Sequence, residues 1–107
     1  KAPSFLHTRI AAARIVTRGK QKMLQIQGQS FGESFARRKL QLAFGTDPEE
    51  TEWKTVGYAL TPEKSIESVL GYLPLRYFNR RGRWSIRCIV EDRRGNKRES
   101  RGTSRKQ

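Results

Sequence analysis

The sequence predicts an all-β domain, an antiparallel β-sandwich of about seven short strands. Three observations carry this expectation. Apolar and polar residues alternate with a period of two in several stretches, most clearly in RWSIRCIVED, where Trp84, Ile86, Cys88 and Val90 share one face. Turn signals built on Gly, Pro, Asn and Asp recur at intervals of roughly ten residues. No stretch sustains the apolar period of a long helix.

The elements follow in order. KAPSFLHT, residues 1–8, reads as a lead-in, with Pro3 favouring extended chain. The domain proper spans 9–102. RIAAARIVT, residues 9–17, is the first strand; its alanines favour helix, but the run is short and Ile15, Val16 and Thr17 favour strand. A turn at Gly19 leads to KMLQIQGQSF (22–31), with Leu24 and Ile26 on one face and Gln25 and Gln27 on the other. After a turn at Gly32, ARRKLQLAFG (36–45) places Leu40, Leu42 and Phe44 inward. The acidic TDPEETE is a loop broken by Pro48. WKTVGYALT (53–61) is a strand with Val56, Tyr58 and Leu60 on one face. Residues 61–73 read as a strand or a one- to two-turn helix, since Thr61, Pro62 and Glu63 suit a helix start. RWSIRCIVED follows, then a turn through Gly95 and Asn96, both tolerant of positive φ. KRESRGTS has no apolar residue, so it reads as an edge strand, and 103–107 as a disordered basic tail.

Charge is the second feature of the chain. The net charge is +13 over 107 residues. Residues 76–107 carry 12 Lys and Arg against Glu91, Asp92 and Glu99, a net of +9. Such a chain attracts polyanions: nucleic acid, acidic glycan, lipopolysaccharide or an anionic membrane surface. No apolar run approaches the roughly 20 residues of a membrane-spanning helix.

Few residues have catalytic or metal-binding chemistry. His7 is the one histidine and lies in the lead-in. Cys88 is the one cysteine; Arg87 beside it can lower a thiol pKa, but it shares the inward face of Ile86 and Val90. Asp47, Glu49, Glu50 and Glu52 cluster without the spacing of a dedicated calcium loop and read as a solvated loop. No catalytic residue, metal site or cofactor is expected. A polyanion site is expected in RYFNRRGR, where Arg76, Arg80, Arg81 and Arg83 flank Tyr77 and Phe78, together with Arg93, Arg94, Lys97 and Arg98 of the last hairpin. Arginine binds phosphate or sulfate through a bidentate fork, and aromatic rings offer stacking faces. The competing reading makes the two rings core and the arginines a solubilising rim that keeps an edge strand unpaired.

GRWSIRCIVEDRRGN resembles the end of an immunoglobulin-like or fibronectin type III-like module: glycine-x-aromatic, alternating apolar residues, then Asp92, Gly95 and Asn96 in the last hairpin. KLQLAFGTDPEETEWKTVG is similar to the strand C hairpin of such modules, and SVLGYLPLRYF to their strand E segment. Cys88 has no partner cysteine, and Trp84 stands where a tyrosine is usual at the start of strand F. The resemblance implies an immunoglobulin-like sandwich and a non-catalytic spacer or protein-interaction module of a larger exported or surface protein, partnered by neighbouring domains. Two alternatives stand beside it: a small basic nucleic-acid-associated, ribonucleoprotein-type protein of the cytoplasm, and an accessory carbohydrate-binding domain of a hydrolase.

Overall fold

A computed structural model describes residues 5–56, 58–59 and 66–107. The protein is a sandwich of two antiparallel sheets. Its strands are β1 (Leu6–Arg18), β2 (Gln21–Gly32), β3 (Phe35–Phe44), β4 (Lys54–Thr55), β5 (Tyr58–Ala59), β6 (Val69–Pro74), β7 (Gly82–Asp92) and β8 (Lys97–Lys106). The first sheet has the order β1-β2-β6-β5 and the second β4-β3-β7-β8. Single 3-10 turns at Glu50–Glu52 and Leu75–Tyr77 are the helical elements among the described residues.

The alternation read in the sequence fixes which faces meet. Leu24, Ile26, Leu70 and Leu73 of the first sheet pack on Leu40, Leu42, Trp84, Ile86, Cys88 and Val90 of the second. Leu40 and Leu42 lie beside β7, paired with Cys88 and Ile86, rather than across the core from it. Between the sheets also lies a charge: Arg38 is 3 % exposed and donates from Nη1 to Ser30 Oγ at 2.8 Å. Burial lowers its pKa from the usual arginine value. Its position follows from the same period that points Leu40 and Leu42 inward.

Three register shifts mark the ladders, the first in β1, another in β3 and another in β6, where Leu70 is extra between Val69 and Gly71. Ile10 pairs with Gly28 and Ala12 with Gln27, so Ala11 is an extra residue in β1. Ala36 is likewise extra in β3, between Phe35 and Arg37. Glycine is required opposite the first bulge, because a Cβ on Gly28 would stand 2.0 Å from the Arg9 carbonyl oxygen.

Several boundaries differ from the sequence reading. β1 begins at Leu6, so most of the expected lead-in beyond residue 5 is strand, and His7 is half-buried within it. The single strand expected over 53–61 is instead two short ones on different sheets. β4 pairs with β3 through Thr55–Gln41, and β5 with β6 through Tyr58–Tyr72. The chain changes sheets between them, which one continuous strand cannot do. Leu60, expected on one face with Val56 and Tyr58, and the helix start at Thr61–Glu63 lie outside the described residues. Val69–Pro74 is strand, and Ile66 bridges to Ser30 ahead of it. The tail expected from 103 is ordered as far as Lys106, because β7 supplies partners along its whole length, down to Gly82–Lys106. β8 borders β7 alone within its sheet, the edge position its composition suggests.

Candidate polyanion-binding surface

The expected cationic residues lie at the two ends of β7. Arg83 and Arg93 are ten residues apart along an extended chain, about 34 Å. At one end, the 3-10 turn Leu75–Tyr77 closes with the Phe78 N–H on the Leu75 carbonyl (3.0 Å). This turns Phe78 into the core, where its ring meets Trp84 edge-on at 5.4 Å. Phe78 therefore offers no stacking face, contrary to the expected site. Tyr77 is exposed, with the Arg76 guanidinium 5.1 Å above its ring.

Trp84 organises the following turn. Its indole N–H donates to the Arg80 carbonyl (2.9 Å), and its ring meets Phe44 edge-on at 5.1 Å. Arg80 folds over the other side of the same cluster, its guanidinium 4.0 Å from the Phe44 ring centroid. Gly82 has φ 125, and a Cβ there would press on the Phe44 ring at 3.1 Å. Arg83 is set by the Gly45 N–H on its carbonyl (2.8 Å) and donates to Thr103 Oγ1 at 3.2 Å. Arg76, Tyr77 and Arg80 rim an open depression of about 400 Å³ that also takes in Glu52 and Lys54.

At the other end, Asp92 builds the hairpin. Its Oδ1 accepts the N–H groups of Arg94 and Asn96 (2.9 Å each), and its Oδ2 accepts Asn96 Nδ2 at 3.0 Å. The Asn96 side chain, then the backbone donors, hold its carboxyl below the usual aspartate range. Gly95, at φ 86, completes the turn. Arg93, Arg94, Lys97 and Arg98 stand exposed around this frame, and none of them is in an ion pair among the described residues. The same holds for Arg76, Arg80, Arg81 and Arg83.

Between the two ends most of the charge is held in ion pairs, with Lys39 exposed beside Ile89. The loop after β3 folds back over the outer face and brings Trp53 and Glu50 onto it. Arg87 is 3 % exposed; it donates Nε to Gln41 Oε1 (2.6 Å) and Nη2 to Glu50 Oε2 (2.5 Å), with Glu99 Oε1 3.5 Å from its Nη1. Its guanidinium lies 4.4 Å from the Trp53 ring centroid, with Arg101 5.1 Å away. Arg101 pairs with Glu99 at 2.6 Å. The Arg87 hydrogen bond holds the Glu50 carboxyl below the usual glutamate range. Sequence reasoning missed this belt. The available signal was the outward phase of Arg87 in β7 together with a tryptophan directly after an acidic loop. Glu52 Oε1 accepts the Glu49 N–H (2.7 Å), so the loop is folded, while Asp47, Glu49, Glu50 and Glu52 all stay exposed, as the solvated reading expects.

The two residues weighed for catalysis are far from each other in role. Cys88 is fully buried, and burial pushes its thiol pKa up. His7 lies on the outer face of the first sheet, its Nε2 3.2 Å from Gln29 Oε1. Among the described residues no group of three or more His, Cys, Asp or Glu is arranged to hold a metal ion. No helix among them is long and apolar enough to cross a membrane. Comparisons with family models, curated proteins and solved structures gave no match.

Proposed function

We propose that this chain is a non-catalytic immunoglobulin-like module, a spacer or protein-interaction unit of a larger exported or surface protein, whose unpaired cations draw polyanions to it. The observation that carries this reading is the strand order. Lettered A, B, C, C′, D, E, F, G along the chain, the sheets run A-B-E-D and C′-C-F-G. That is the order of immunoglobulin-like sandwiches, in which strands A, B, E and D face C, F and G. A non-catalytic role is supported by the environments of Cys88 and His7, the first inside the core and the second on the outer face of a sheet, with no nucleophile–base geometry between them.

Attraction of polyanions rests on the exposed arginines at both ends of β7. A heparin titration across a salt series tests it, with wild type, Arg80→Gln/Arg81→Gln and Arg93→Gln/Arg94→Gln. Each pair of substitutions lowers affinity by roughly two- to fivefold and flattens the salt dependence, because fewer counterions are released. Affinity that ignores salt, or both double variants binding like wild type, would refute the electrostatic reading. In the same series Tyr77→Ala leaves heparin binding intact; a loss confined to single-stranded DNA would favour a nucleic-acid-associated protein instead.

A further inference from the structure

We propose that the outer face of the first sheet is a binding face for an acidic polysaccharide, a sulfated or uronate-bearing chain lying along β1. The site is on the sheet opposite β7, so it stands whether or not the ends of β7 bind anything.

The bulge at Ala11 aligns three arginines. Arg9 and Arg14 are five residues apart, an odd spacing that in a regular strand sends side chains to opposite faces. Ala11 is the extra residue that restores their phase, so Arg9, Arg14 and Arg18 share the outer face. Their partners on β2 are Gln29, Gln25 and Gln21, evenly four residues apart. The three guanidinium-bearing positions therefore form a column at intervals of about 14 Å and span about 27 Å. All three arginines are exposed, and none forms an ion pair among the described residues. Residues 6–18, 21–32 and 69–74, which make up β1, β2 and β6, contain no Asp or Glu. The second sheet differs: there Glu50, Glu91 and Glu99 pair with its arginines.

Between Arg9 and Arg14 the ground is amide, and between Arg14 and Arg18 it is apolar, with Val16 opposite Met23. Gln25 Oε1 accepts from Arg14 Nε (3.2 Å) and from Gln27 Nε2 (3.3 Å), which orients the row and leaves amide groups facing out. Amides both donate and accept, as sugar hydroxyls do. Among the described side chains, free aromatic faces at regular intervals, which a single-stranded nucleic acid uses for successive bases, are missing from the middle of the face. Tyr72 is covered by the Arg18 guanidinium at 3.9 Å, and the rings of Phe5, His7 and Phe31 gather at one end. Charge spaced along a line, amides beside it and little stacking among the described side chains fit a hydroxylated polyanion better than a polynucleotide.

The test is calorimetric titration of the whole chain with a heparin octasaccharide near physiological salt. Arg9→Gln/Arg14→Gln/Arg18→Gln is compared with Arg93→Gln/Arg94→Gln/Lys97→Gln, which removes equal charge from the other sheet. The first variant loses about tenfold more affinity than the second; equal losses would mean that only bulk charge matters and would overturn the site. Gln25→Ala/Gln27→Ala, with no charge changed, weakens binding about threefold while keeping the salt slope; unchanged affinity would overturn the amide contribution. An oligo(dT) of matched charge binds more weakly than the octasaccharide. Tighter binding of oligo(dT), lost in the Arg9/Arg14/Arg18 variant, would replace the glycan with a single strand.

Discussion

Replacing Trp84 separates its two roles, filling the core and holding the Arg80 turn. Trp84 is 6 % exposed, meets two rings edge-on and donates one hydrogen bond to the Arg80 carbonyl. Truncation to alanine removes all of these. Burial and the cavity left behind put the cost at about 3–5 kcal/mol. Each edge-on pair accounts for about 0.5–1.5 kcal/mol of that. For a domain of this size the loss lowers Tm on the order of 15–30 °C. Trp84→Phe keeps a ring between Phe44 and Phe78 but loses the N–H donor and some volume, and costs about 1–2 kcal/mol. Thermal melts by circular dichroism read both values. Amide exchange at Arg80–Gly82 reads the second role, because without the indole donor the turn opens more often. Protection there falls in Trp84→Phe by more than the global destabilisation explains. A Tm unchanged in Trp84→Ala, or turn protection unchanged in Trp84→Phe, would refute the account of this corner.

Two further perturbations test the frame. Gly28→Ala drives a Cβ against the Arg9 carbonyl at 2.0 Å and costs about 1–3 kcal/mol or more, whereas Gly102→Ala meets only the Ile10 Cγ2 at 3.0 Å and costs less. Equal denaturant midpoints for the two would rule out the bulge at Ala11. Asp92 has a folded-state pKa held below its ordinary value of about 3.9, so its stabilisation is present above that pH and is lost as pH falls through the lowered value. Melts from about pH 7 down to pH 2 therefore show an acid limb that is shallower in Asp92→Asn; an identical limb would remove Asp92 as its source. Glu50, shifted in the same direction by Arg87, contributes to the part of the limb that remains.

How much of this was legible in the sequence depends on the scale of the feature. The period of two in 22–31, 36–45 and 83–92 was enough to orient Leu24, Ile26, Leu40, Leu42, Trp84, Ile86, Cys88 and Val90, because a strand offers only two faces. The edge position of β8 was legible from its lack of apolar residues. The break between β4 and β5 was not, since WKTVGYALT alternates without interruption and nothing local signals that the chain changes sheets. Bulges were equally silent: an extra Ala11 or Ala36 looks like any other alanine. The candidate surface suffered most. RYFNRRGR and the hairpin are close in sequence and belong to the same strand, yet an extended strand carries its ends far apart. Phe78 reads equally as a stacking ring or a core ring, because its burial depends on the 3-10 turn before it and on Trp84 six residues later. The belt of Arg87, Trp53, Glu50 and Glu99 joins residues from three separate parts of the chain, and no local pattern contains it.

The central claim is that the fold divides the cations into separate patches with an ion-paired belt between those at the ends of β7. Backbone amide shifts followed by NMR during titration with a heparin octasaccharide test it most directly. The account predicts perturbations at Arg80–Arg83, at Arg93–Arg98 and along Arg9–Arg18, with Trp53, Arg87 and Ile89 unmoved. A perturbation centred on Arg87 and Arg101, or one running unbroken along β7 and β8, would contradict it.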